Sequence, residues 1–246
     1  MRLIKINATN STNSFLKELA QNSSLEEYTI AVANTQTSGR GQMSNSWVSE
    51  PYKNLTFSIF TPLTKLQIKH QAYLNFAVSL AIYDTLLTYN VPKLSIKWPN
   101  DIMSAEKKIC GILIETTFSH LQIKNTIIGI GLNVNQEKFP KKLFNASSLK
   151  NILKKEIDLE PLMNIIVEKI KYRISSIELG KFSKTHEEYH EALYKRGIPT
   201  AFVDKKTKLL FMGIITEVSS IGNLQIQLED DTIGEYGLKE VSFAKV

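Results

Sequence analysis

The chain is 246 residues long, with 43% hydrophobic and 22% charged residues, ordinary proportions for a globular protein. That length accommodates one large domain and a small one, and no apolar run approaches the roughly 20 residues that cross a bilayer. The net charge of +6 and pI of about 9.2 are compatible with a nucleic-acid partner, but the lysines are dispersed in pairs such as Lys107-Lys108, Lys141-Lys142 and Lys154-Lys155, with no arginine-rich helix. An enzyme that binds phosphates or an acidic partner protein is the better expectation.

The lone cysteine, Cys110, excludes an internal disulfide framework and a cysteine-rich zinc site, and reads as a small core residue. Residues 1–8 are too short and too polar a stretch for a signal peptide, so a cytoplasmic protein is expected.

Asn10-Ser11-Thr12-Asn13-Ser14 signals a helix start, with Phe15, Leu16 and Leu19 beginning an apolar stripe. A hydroxyl of Ser11 or Thr12 is expected to cap free backbone N–H groups, and the same polar start suits a polar ligand. Residues 29–33 read as a buried strand. They feed a long polar loop, residues 34–47, in which Gly39 and Gly41 flank Arg40. The glycines let backbone approach a ligand, and Arg40 can grip a carboxylate or phosphate through two hydrogen bonds. A plain flexible loop is the alternative.

Residues 55–60 form the next expected strand, ended by Pro62. Leu74, Ala77, Val78, Ala81, Ile82 and Leu86 recur at helical spacing over about 67–89. After Pro92 come a strand at 94–97 and a hairpin pairing 108–118 with 123–131, which closes on Gly129-Ile130-Gly131-Leu132-Asn133. No third glycine opens a helix there, so this is not a dinucleotide fingerprint. Residues 143–153 show no clear period. Pro161 is expected at the first position of a helix that buries Leu162, Ile165, Ile166, Ile170, Ile174 and Ile177 and stops at Gly180. A short helix runs on to about Tyr194. Five short strands then follow, at 200–203, 209–215, 224–228, 233–236 and 241–243, and predict a small β-barrel. The domain boundary falls near Arg196, giving domains 1–195 and 196–246.

Two stretches carry candidate chemistry. His186-Glu187-Glu188-Tyr189-His190 matches the H-E-x-x-H zinc-hydrolase pattern, but Lys181, Ser183, Lys184 and Glu191 make the segment polar on most sides. A solvated helix face is expected, with a zinc hydrolase as the minor alternative. The other stretch is Lys97-Trp98-Pro99-Asn100-Asp101 together with Lys108-Ile109-Cys110-Gly111-Ile112-Leu113-Ile114-Glu115. It sets β-favouring apolar residues among groups that are costly to bury without partners. Either this is a solvated edge strand or Lys108 points at an anion.

Taken in order, Ser11-Thr12-Asn13, Thr35-Gln36-Thr37-Ser38-Gly39-Arg40-Gly41, Lys97 to Asp101, Lys108 to Glu115 and Gly129 to Asn133 resemble the biotin–protein ligases over nearly the whole chain. Each motif alone is weak, and the five in sequence are specific. The resemblance implies an α+β fold: a mixed sheet flanked by helices, akin to class II aminoacyl-tRNA synthetases, with a C-terminal SH3-like barrel. It implies that biotin and MgATP give biotinyl-AMP and pyrophosphate. A lysine of a biotin carboxyl carrier domain then attacks the mixed anhydride. Mg²⁺ would arrive with ATP, with no metal motif of the protein's own.

The resemblance also assigns residues. Lys108, Arg40 and Asp101 are the implied catalytic set: Lys108 between the biotin carboxylate and the α-phosphate, Arg40 on the closing loop, and Asp101 orienting the carrier lysine. Ser11, Thr12, Asn13, Gln36, Gly39, Arg40, Lys108, Gly111, Gly129 and Gly131 are implied for biotin. Arg40, Gln42, Asn45, Trp47, Trp98, Asn100, Lys108 and Asn133 are implied for ATP. No enzyme nucleophile is required.

The chain departs from the family pattern after Gly41. Gln42-Met43-Ser44-Asn45 stands where arginines and a glycine are common, so the loop should neutralise pyrophosphate less strongly. It also starts almost at once with the strand before Ser11, which fits the monofunctional members without a DNA-binding domain, so no nucleic acid is expected. A homodimer is compatible with the family. A lipoate–protein ligase of the same fold is the nearest rival reading.

Overall fold

The computed structural model describes residues 2–63 and 65–244, so Met1 and the last two residues of the expected domains lie outside it. A seven-stranded sheet dominates. Its strands are β1 (Arg2–Thr9), β2 (Thr29–Gln36), β3 (Leu55–Pro62), β4 (Leu94–Lys97), β5 (Asp101–Ser104), β6 (Lys107–Ser119) and β7 (Gln122–Leu132), in the order β1-β2-β3-β7-β6-β5-β4. Only β1 and β2 run parallel. Between them passes α1 (Thr12–Asn22).

The two faces of this sheet have different covers. Alternation along β6 and β7 sends Ile112, Ile128, Ile130 and Leu132 into the main core with α2 (Gln71–Thr88) and α4 (Leu159–Glu178). The other face packs Ala31, Phe60 and Ile127 against Leu16 of α1 and, beyond them, carries Ser58, Gly111, Leu113, Gly129 and Gly131. Nearly every residue of β3 is buried, since both faces are covered at its position.

Helix α2 is buried around most of its circumference rather than along one stripe, because the sheet, α4 and α5 (Phe182–Glu191) surround it. Helix α4 starts two residues earlier than Pro161 suggests, capped by Asp158, whose Oδ1 accepts from the Glu160 N–H at 3.3 Å. Ile165, expected inside, is 38% exposed, and Met163 and Val167 take the inward positions. Gly180 adopts φ 78° immediately beyond the helix end, the left-handed stop that glycine favours. A short helix absent from the sequence expectation, α3 (Leu149–Leu153), is capped by the Ser148 hydroxyl.

The C-terminal strands are β8 (Pro199–Asp204), β9 (Leu210–Val218), β10 (Leu224–Gln227), β11 (Ile233–Tyr236) and β12 (Val241–Phe243). Among the described residues they form an open antiparallel sheet, β11-β10-β9-β8-β12, whose end strands do not pair with each other, where a closed barrel was expected. This sheet is tied to the large one. The Trp98 indole N–H donates to the Gly222 carbonyl at 2.9 Å, and Ile96 holds the segment leading into that sheet by backbone hydrogen bonds with Ala192 and Tyr194.

The H-E-x-x-H segment serves the same junction. His186 Nε2 lies 2.7 Å and His190 Nε2 3.0 Å from the Val218 carbonyl oxygen of β9; the His186 ring stacks on Phe76 and lies 4.1 Å from the tilted His190 ring. His190 is buried, so the expected solvated face is corrected: amphipathic spacing turns both imidazoles inward. No group of three or more potential ligands that could hold a metal occurs among the described residues. Burial, with smaller effects of His186 and Arg196, holds the His190 imidazole below its usual range against the opposing Val218 hydrogen bond and Glu217. The unfolded chain therefore binds the extra proton first. This group's stabilisation is complete above about pH 6.5 and is lost as pH falls through the lower folded-state value, at no more than about 1.4 kcal/mol per pH unit. Melting temperature should drop as pH falls below about 6.5, and His190→Gln should flatten that slope. Some slope remains from His70, which burial and Lys69 also lower. An unchanged slope in the variant would contradict this account.

Candidate active site

A cavity of about 320 Å³ opens on the α1 side of the sheet, within the range of small-molecule sites (about 300–1,000 Å³). Its floor is set by strand register. Asp101 of β5 faces Gly111 of β6, and Gly111 faces Gly131 of β7. In the next row Leu113, Gly129 and Ser58 lie side by side. Lys108 reaches this floor through a bulge: Met103 pairs with Lys108 but Ile102 with Cys110, which leaves Ile109 as the extra residue. A bulge reverses the alternation. Lys108 and Gly111, three apart, therefore face the cavity together, while Ile109 and Cys110 are both buried behind it.

Lys108 Nζ lies 2.6 Å from Asp101 Oδ1 and 5.8 Å from the centre of the Trp47 ring. The sequence could not choose between a solvated edge and an anion site. The Lys108 side chain is about one-third exposed and lines the cavity, so a simple solvated edge is excluded. Arg40, Lys97 and Lys108 all line it, against Asp101 as the one carboxylate of the lining among the described residues. Such an excess of positive charge favours a ligand carrying several negative charges. Lys97 stands over Phe243 at 4.4 Å and Tyr194 at 5.5 Å. Burial lowers its pKa, opposed in part by Asp101.

The helix-start residues form one directional network. Gln36 Oε1 accepts from the Thr12 N–H at 2.8 Å, so the cap of α1 comes from the end of β2; the Ser11 hydroxyl makes no capping bond and lines the cavity. Ser58 Oγ lies 2.6 Å from both Thr12 Oγ1 and Asn13 Oδ1. An amide oxygen only accepts, so Ser58 donates to Asn13 and accepts from Thr12. Asn13 Nδ2 then donates to Glu115 Oε2 at 2.8 Å, and Arg40 Nη2 donates to the same oxygen at 2.6 Å.

The loop after β2 is folded back on itself. Trp47 N–H donates to the Gly39 carbonyl at 2.8 Å and Gly41 N–H to the Asn45 carbonyl at 2.7 Å, so a plain flexible loop is not what forms. The fold carries the Trp47 indole over the glycine floor, where a Cβ on Gly131 would meet the ring at 2.3 Å. Likewise a Cβ on Gly129 would lie 2.2 Å from Asn13 Oδ1. Close approach is thus the reason for both glycines, but in this structure the approaching groups are the protein's own side chains. Trp47 Nε1 and Gln42 Oε1 are buried with no protein partner, an unused donor and acceptor at the loop.

Of the residues expected from sequence, Ser11, Thr12, Asn13, Gln36, Arg40, Gln42, Asn45, Trp47, Trp98, Asn100, Asp101, Lys108, Gly111, Gly129 and Gly131 are brought together around the cavity. Gly39 and Asn133 are not in its lining. Asn133 is buried behind it, its Nδ2 donating to the Ser147 carbonyl at 3.0 Å. Sequence reasoning missed Lys97 as a lining residue, and also Leu238, Val241, Ser242 and Phe243 from the C-terminal sheet. No local signal marks those four; only the docking of the two sheets brings them to the cavity. Cys110 is fully buried and burial pushes its thiol pKa up, which fits a core residue.

Comparison with known proteins gives the family of this fold and cavity. Residues 6–133, more than half of the chain, match the biotin/lipoate A/B protein ligase family, and the chain belongs to that family. It is 37% identical over 160 residues to the bifunctional ligase/repressor BirA of Bacillus spizizenii, covering 63% of this chain and 48% of that protein. It is 28% identical over 131 residues to a biotin–[acetyl-CoA-carboxylase] ligase of Mycobacterium tuberculosis, covering 52% and 47%. The chain spans about half the length of the curated relatives it matches. Among solved structures, the biotin protein ligase from Aquifex aeolicus in complex with biotin and ATP superposes with a TM-score of 0.83 at 25% identity, covering 100% of this chain and 99% of that one.

Proposed function

We propose that the protein is an ATP-dependent biotin–protein ligase. It would join biotin to the α-phosphate of ATP, releasing pyrophosphate, and then pass biotin to a lysine of a biotin carboxyl carrier domain. The observation that carries this reading is Lys108, turned by the β6 bulge onto a glycine floor in a cavity that also presents Arg40 and Lys97. Adenylation brings a carboxylate and a phosphate together, and fixed cations at their meeting point offset the repulsion and the charge of the transition state. We assign Lys108 to that meeting point, Arg40 to the mouth, and the Ser11–Asn13 start of α1 with Gln36 to the polar head of biotin. Gln42, Asn45, Trp47, Trp98 and Asn100 are assigned to the nucleotide. Asn133, outside the lining, keeps at most an indirect part through the strand end it holds.

Asp101 lies beside Lys108 and is suited to draw the incoming carrier amine, which must be neutral to attack. Mg²⁺ would enter with the triphosphate, whose charge it offsets. We further propose that 1–195 is the catalytic domain and that 196–246 is an SH3-like unit whose edge completes the cavity. Acetyl-CoA carboxylase is the expected source of the carrier, the cytoplasm the expected compartment, and pairing of two copies compatible with the fold. No helix among the described residues is long and apolar enough to cross a membrane.

The family also includes lipoate ligases. The Arg40 loop and the biotin-ligase names of the relatives favour biotin. Incubation with ATP, a carrier domain and either acid separates them: labelled biotin should transfer, and transfer of lipoate alone would reverse the choice.

A further inference from the structure

Glu115 was conspicuous in the sequence as a carboxylate inside an apolar strand, and the reaction just described gives it no task. It is three-quarters buried on β6, one row beyond Leu113 on the cavity face, yet it is absent from the cavity lining. Its Oε2 receives Arg40 Nη2 at 2.6 Å and Asn13 Nδ2 at 2.8 Å. Arg40 belongs to the loop and Asn13 to the start of α1, so one oxygen joins the two elements that flank the cavity mouth. Through Asn13 the connection runs on to Ser58, Thr12 and Gln36. A guanidinium carries five N–H donors, and this pair engages only Nη2 of an arginine that also lines the cavity, so other donors remain for a ligand.

We propose that Glu115 is a positioning residue: from behind the wall it holds Arg40 in place at the mouth and fixes Asn13 to the same point. The proposal rests on the ligase reading above. A shared carboxylate suits this role better than an amide, because a charge-assisted bond holds a long, otherwise mobile arginine more strongly than a neutral one.

The test is Glu115→Gln, which keeps the shape and an acceptor for Asn13 but removes the charge that holds Arg40. Biotin-dependent ATP–pyrophosphate exchange should show the KM for biotin rising about tenfold with kcat changed less than about threefold, the loss expected for one weakened charge-assisted bond. In an Arg40→Ala background the same substitution should change KM by less than about twofold, since the residue it acts through is gone. Equal effects in both backgrounds would mean a general structural role and overturn the proposal. A second measurement needs no activity. Trypsin must draw the Arg40 side chain into its own pocket, so Glu115→Gln should speed cleavage after Arg40 severalfold while cleavage elsewhere is unchanged. Unaltered cleavage would also overturn it. If the wild-type chain shows no biotin-dependent exchange, the ligase reading fails, and the cleavage rate alone decides whether Glu115 holds Arg40.

Discussion

Lys108→Ala should lower the rate of biotinyl-AMP formation by about 10³-fold or more, equivalent to about 4 kcal/mol, while biotin affinity falls by less than about tenfold. The asymmetry follows from where charge develops. Bound biotin has a single carboxylate that Arg40 can still meet, and its polar head keeps the α1 start. In the transition state that carboxylate and the α-phosphate share one point, and the ammonium closest to the floor is gone. The variant also strands Asp101, three-quarters buried, without the partner now 2.6 Å away. That costs about 1–3 kcal/mol of stability, which could be mistaken for lost catalysis. Pairing Lys108→Ala with Asp101→Asn removes the stranded charge. The double variant should regain melting temperature and remain inactive in adenylation. Single-turnover adenylation with purified protein would settle the assignment, and a rate near that of the wild type would refute it.

Arg40→Gly should weaken biotin binding by about 10- to 100-fold, the loss of one or two charge-assisted hydrogen bonds. It should also raise the share of biotinyl-AMP released free into solution. Both effects come from the loop. Arg40 is its anchor to β6 through Glu115, and the backbone ladder from Gly39 to Trp47 carries the indole over the floor. Glycine at position 40 removes the anchor and loosens the backbone, so retention of the intermediate suffers beyond the loss of affinity. Arg40→Ala separates the two, because it removes the side chain with less added backbone freedom. Wild-type affinity together with no rise in free adenylate would count against the role given to Arg40. Retention also bears on the departure from the family pattern, since Gln42 to Asn45 bring no cation to replace it.

Much of this was legible before the coordinates. Most strands of the large sheet, the four longer helices and the Gly180 stop follow from alternation, 3.6-residue spacing and turn residues, and the five motifs meet at one cavity. What escaped was fixed by tertiary contact. A one-residue bulge decides which way Lys108 points, yet Ile109 and Cys110 give no local sign of it. Ser11 looked like a cap, but Gln36, 24 residues on, takes the Thr12 N–H. Asn133 sits in a motif with its glycines, yet its amide is taken by Ser147. His186 and His190 were read as exposed because their neighbours in sequence are polar, whereas the Val218 carbonyl lies opposite them across the junction. The wall from Leu238 to Phe243 comes from more than a hundred residues away and needs the docked C-terminal sheet.

The central claim is that this cavity activates biotin with ATP, and exchange of labelled pyrophosphate into ATP tests it most directly. The purified chain should catalyse exchange only when biotin is present, and Lys108→Ala should abolish it while keeping the fold. Exchange that is absent with biotin but appears with lipoate, or that survives in Lys108→Ala at the wild-type rate, would contradict the account.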